Sequence, residues 1–121
     1  MLRKQDLANT VRNPINANEA RQLLDHLESW NGTVSNQWKV RANTNQETMD
    51  RGDPFGYAEV YMGLSKLESQ GTLRATDREH LNRSLDFLVE ELAVALGKTP
   101  EQARNRIAKV EIQGKLASAV Q

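Results

Sequence analysis

An all-α fold, a compact bundle of about five short helices, follows from three features of this 121-residue sequence. Helix-start signals recur along the chain: Asn16, Asp53, Thr76 and Thr99 are each followed by Pro or by Glu/Gln at a fixed offset, and Ser35 stands as a cap without either. Behind them, apolar residues return at three- and four-residue spacing. No segment alternates apolar and polar side chains as a half-buried strand does, and no segment copies another, so short capped helices form a bundle rather than a solenoid.

The first helix follows Pro14, with Asn16 as N-cap, Glu19 completing a capping box, and Leu23, Leu24, Leu27 and Trp30 on the inward face; it stops at the Asn31-Gly32 turn. The second starts from Ser35 as N-cap and ends at Gly52, on a thin stripe of Trp38, Ala42 and Met49. Asp53 caps the third, Pro54 takes its first position, and Tyr57, Val60, Tyr61, Leu64 and Leu67 run along one side to Gly71. The fourth opens on a box of Thr76 and Glu79 and carries Leu81, Leu85, Leu88, Val89, Leu92 and Leu96 to Gly97. It is the most apolar helix and should be the central one. The fifth has Thr99 as cap, Pro100 next, Gln102 closing the box, and Ala103, Ile107 and Val110 facing inward. The organisation expected is an extended, linker-like segment over 1–14, a single helical domain over 15–112 and a flexible tail over 113–121.

Composition narrows the function. Hydrophobic residues are 38% and charged residues 26% of the chain, enough for one modest core. Sixteen basic side chains balance sixteen acidic ones, which argues against gripping nucleic acid by bulk charge. The charge is nevertheless segregated: residues 53–97 are mainly acidic, and the five cations Lys98, Arg104, Arg106, Lys109 and Lys115 dominate the last stretch. The lack of cysteine rules out disulfides and thiolate metal sites and suits a reducing, cytoplasmic setting. The basic start has no apolar run behind it, so no secretory signal is expected.

No motif supports catalysis: there is no nucleophile elbow, glycine-rich phosphate loop or histidine beside a nucleophile, and the chain is not expected to be an enzyme. His26 and His80, the only histidines, sit on different helices and are expected on solvated faces, so neither a metal nor another cofactor is assigned. The tripeptide Arg51-Gly52-Asp53 reads as a helix end and a helix cap. The sequons at Asn31 and Asn82 carry no meaning without export.

Trp38 stands apart. Its neighbours Asn36, Gln37, Lys39 and Arg41 are polar or cationic, and the two turns that follow are polar as well. The residues leave two readings open. One is a buried anchor, the usual fate of tryptophan. The other is an exposed ring framed by amides and cations, suited to the minor groove, where a flat wedge can enter a base step. Arg78 and Arg83, in DREHLNR, could reach a phosphate if that surface faces nucleic acid.

NQWKVR, the helix end RGDPF and the run YAEVYMGLSKLESQGTLRATDREHLNRSLDFLVEELAVAL resemble, in order and spacing, the helical C-terminal domain of the CarD/CdnL family of bacterial RNA polymerase-binding transcription regulators, over residues 12 to about 110. The resemblance implies a mechanism. The family's N-terminal Tudor-like domain docks on the polymerase β subunit, and its helical domain meets promoter DNA at the upstream edge of the melted bubble. There the family's tryptophan, matched by Trp38, wedges into the minor groove at the fork and prolongs the open complex. Lys39, Arg41 and Arg78 match positions where basic residues hold the backbone, with Asn36 and Gln37 beside the ring. A location in the cytoplasm, on the nucleoid through RNA polymerase, goes with it. The Tudor-like domain has no counterpart in this chain, whose start resembles only the family's linker, so polymerase docking is not carried over. The rival expectation is a helical protein-interaction module with no DNA role.

Overall fold

The computed structural model describes residues 14–30, 32, 34–71 and 73–120, with side chains as far as Gly114. Apart from Pro14, the linker-like start lies outside the described residues, as does Asn31. The described chain forms five helices and no strand: α1 (Ala17–Ser29), α2 (Trp38–Asp50), α3 (Pro54–Gln70), α4 (Ala75–Leu96) and α5 (Pro100–Val120).

Three helix starts follow the expected chemistry. Asn16 Oδ1 accepts from Glu19 N at 2.8 Å while Glu19 Oε1 accepts from Asn16 N at 3.0 Å. Asp53 Oδ1 accepts from Phe55 N at 3.0 Å, one residue after Pro54. Thr99 and Gln102 form the same reciprocal box, at 3.1 and 3.0 Å. The other two starts differ. α2 begins at Trp38 with extended Gln37 as its N-cap, and Ser35 Oγ accepts from Gln37 N ahead of the helix instead of capping it. α4 begins at Ala75 with Arg74 as N-cap, so Thr76 lies inside the first turn and caps nothing. Neither α2 nor α4 has a side-chain cap.

Helix α4 is central, packing against all four other helices. Leu88 and Leu92 on α4, Leu23 and Leu27 on α1, Leu64 on α3 and Ile107 on α5 are sealed from water and make the heart of the core. Tyr57 of α3 stacks on Phe87 of α4 with ring centroids 3.8 Å apart. The α3–α5 side is tied by Glu111, whose carboxylate accepts from Tyr61 Oη at 2.9 Å and from Ser65 Oγ. Burial, then the Glu111 charge, pushes the Tyr61 phenol well above its usual value.

Three expectations are corrected. Trp30 is not on the buried face of α1 but caps its C-terminus, half-buried. His80 is buried rather than solvated, because it lies on the inward side of α4; His26 is half-buried, with Nε2 3.1 Å from Glu59 Oε2. Residues 113–120, read as tail, continue α5 to Val120. At Gly114 this stretch passes close against α1. A Cβ there would stand 2.6 Å from the Glu28 carbonyl oxygen, so only glycine lets α5 pass this close to the end of α1.

Candidate nucleic-acid interface

The site is built on a charged clasp between two helix starts. Arg41, one turn into α2, turns inward and meets Asp77, one turn into α4: Nε donates to Oδ1 at 2.9 Å and Nη2 to Oδ2 at 2.6 Å. Nη1 donates to the Ser35 carbonyl at 2.9 Å, which folds the connection before α2 back onto the clasp. Both side chains are almost fully buried. The paired hydrogen bonds to Arg41 hold the Asp77 carboxyl below its usual range despite desolvation, helped by the Arg74 backbone N–H. The same bonds raise Arg41. A fork-to-fork pair of this kind fixes orientation as well as distance.

Trp38 lies three residues before Arg41 and Arg74 three before Asp77, so each sits on the same side of its helix as its clasp partner, one turn nearer the start. The clasp therefore brings them together. Trp38 is 38% exposed, the Arg74 guanidinium lies 4.8 Å from its ring centroid, and Lys39 Nζ lies 5.6 Å from it. Asn36 and Gln37 are exposed just ahead. The cluster thus combines a solvent-facing indole, two cations against it, exposed amides and two helix starts without side-chain caps, whose N–H groups and dipoles favour anions.

The remaining residues anticipated for this surface are distributed unevenly. Arg41 does not reach the surface: the position next to an exposed tryptophan suggests a phosphate contact, but its charge is buried against Asp77. Arg78 is exposed and leans toward α3, with Nη1 3.6 Å from Glu68 Oε2. Arg83 is exposed but its head lies 3.9 Å from Asp50, the last residue of α2, about 18 Å along that helix from Trp38. The structure groups Trp38, Lys39, Asn36 and Gln37, leaves Arg78 on the flank and sets Arg83 apart. Arg74 is the residue the sequence reading missed. Taking Thr76 as the cap of α4 placed Arg74 in a loop; the usable signal was Asp77 three residues on, an acid suited to the third position of a helix that starts two residues earlier.

Among the described residues no three His, Asp or Glu side chains come together as metal ligands. No described helix is long and apolar enough to cross a membrane.

An all-helical domain with this interface matches a known sequence family: the profile described as "CarD, C-terminal domain" covers residues 22–108, most of the chain, and the chain belongs to that family. Among curated proteins it is similar to the Bacillus subtilis (strain 168) protein named "Putative transcription factor YdeB", with 29% identity over 68 residues. The match takes in 56% of this chain and 44% of the relative, so the chain spans less than half of that relative's length.

Proposed function

We propose that this chain is the DNA-contacting domain of a transcription regulator, which lays Trp38 in the minor groove at the upstream edge of the melted promoter and slows its closure. The observation that carries the reading is the exposed indole held between Arg74 and Lys39 at two uncapped helix starts. Membership of the CarD C-terminal domain family and the name of the B. subtilis relative support a role in transcription. In this reading Trp38 is the wedge, Lys39 and Arg74 hold the backbone beside it, Asn36 and Gln37 meet sugar or base edges, and Arg78 adds a flanking phosphate contact. Arg41 is a positioning residue that acts through Asp77.

Magnitudes set the rest of the scheme. A domain of zero net charge with three or four usable cations binds DNA no better than the nonspecific range of ~10⁻⁴ to 10⁻⁶ M. Delivery by RNA polymerase, through a Tudor-like domain of the kind the family carries, would raise the local concentration to about millimolar and fill the site. Once there, a wedge that favours the open fork by ~1 to 2 kcal/mol slows collapse about five- to thirtyfold.

The test is fluorescence anisotropy with fork-junction and fully paired promoter DNA. The fork should bind better, and Trp38→Ala should erase the difference while leaving the thermal melt unchanged. Equal binding of the two DNAs by the wild-type chain would refute the wedge and return the domain to the protein-interaction reading.

A further inference from the structure

Between α2, α3 and the connection from α1 to α2 lies a half-open cavity of about 230 Å³. Trp30, Val34 and Val60 form its apolar side; Asn45, Thr48 and Glu59 form its polar side, and Ser35 and Arg41 close the wall it shares with the clasp. Gly63 shapes it from below: a Cβ there would overlap Val34 Cγ1 at 2.5 Å, so glycine lets the connection settle onto α3.

One group in this cavity lacks a partner. Asn45 is 6% exposed, and its Nδ2 has no hydrogen-bond partner among the described residues. Native structures seldom leave such a donor unmet unless a ligand or ordered water completes it. Opposite in chemistry stands Glu59, a carboxylate with one oxygen engaged by His26 and a half-exposed side chain. The cavity therefore offers a buried donor, a carboxylate acceptor and the flat indole of Trp30.

We infer that this cavity receives one unpaired nucleobase bearing an exocyclic amine, an inference that rests on the fork-DNA reading above. Its volume equals that of about eight water molecules, enough for a base with room for a bridging water. Asn45 donates to a ring nitrogen or carbonyl oxygen, Glu59 accepts from the amine, and Trp30 supplies a stacking wall. On their Watson–Crick edges cytosine and adenine set the amine beside a ring-nitrogen acceptor, whereas guanine sets its amine beside an N–H that would face the Asn45 donor. Thymine would set a carbonyl oxygen against the carboxylate, and a phosphate would be repelled by it. Position fits too: Asn45 is seven residues beyond Trp38 on the same helix face, about 10 Å along α2 and so within about three nucleotides of the wedge.

The experiment scans fork-junction DNA with a single abasic residue at successive unpaired positions, read by anisotropy with the wild-type chain. One position close to the fork should lose about five- to tenfold in affinity, thymine there should do the same, and cytosine or adenine should restore it. Asn45→Ala and Glu59→Gln should each level this profile while keeping the Trp38-dependent preference for fork over duplex. Asn45→Ala removes an unmet donor, so its thermal melt should match or exceed wild type. A flat scan with fork preference intact overturns the base pocket and leaves the wedge standing, as does a position effect that survives both substitutions. Loss of fork preference in the wild-type chain overturns the wedge and the pocket together.

Discussion

Asp77 is a carboxylate shut away from water whose stability depends on the guanidinium facing it. Removing it as Asp77→Ala leaves Arg41 buried and unpaired, and urea unfolding should show a loss of about 3–5 kcal/mol. The pair also predicts acid behaviour. Because Arg41 lowers Asp77 from its ordinary 3.8, the folded state binds the proton less readily than the unfolded one. Its contribution is complete above about pH 4 and disappears as pH falls further through the depressed value. His80 acts higher on the scale: burial lowers it from 6.5, so the folded chain resists protonation that the unfolded chain accepts. Stability should start to decline as pH drops below about 6.5, and His80→Gln should flatten that part of the curve in thermal melts from pH 5 to 8. At this scale the sequence was readable for Trp38, whose polar neighbours mark it as unusual. It was unreadable for Arg41, because the partner that buries it lies 36 residues away and no local pattern reports the pairing.

Helix boundaries repeat that contrast one level up. The five helices and three of their caps were legible because capping is local chemistry, settled within four residues. The starts of α2 and α4 were not, since the clasp sets them from a distance and both lack a side-chain cap. A paired mutation checks the difference. Asp53→Ala, which removes a working cap, should cost about 1 kcal/mol in urea unfolding, whereas Thr76→Ala, inside α4, should stay within ~0.5 kcal/mol. The far half of α5 was missed because its small and polar residues imitate a frayed tail, while its anchor is the close pass at Gly114. Gly114→Val should force α5 off Glu28 and destabilise the chain by about 1–3 kcal/mol, measured in the same way.

Across the whole molecule, charge neutrality makes the interface local. With Lys39, Arg74 and Arg78 as the phosphate contacts, a log–log plot of fork affinity against salt should have a slope of only about −2 to −3. A steeper slope would assign binding to the cations of α5 instead. The bundle itself was legible as a whole because α4 reads as the longest apolar helix and does become its hub. That hub role has a consequence for Trp38. Asp77 grows from the same rod that every other helix leans on, and the amide hydrogens in the middle of that rod, around Leu88 and Leu92, exchange with solvent only when the entire domain opens. The indole is thus mounted on the last part to come apart. Deuterium uptake should find the α4 amides among the slowest in the protein, and heating should abolish the grip on a fork and the fold in one step.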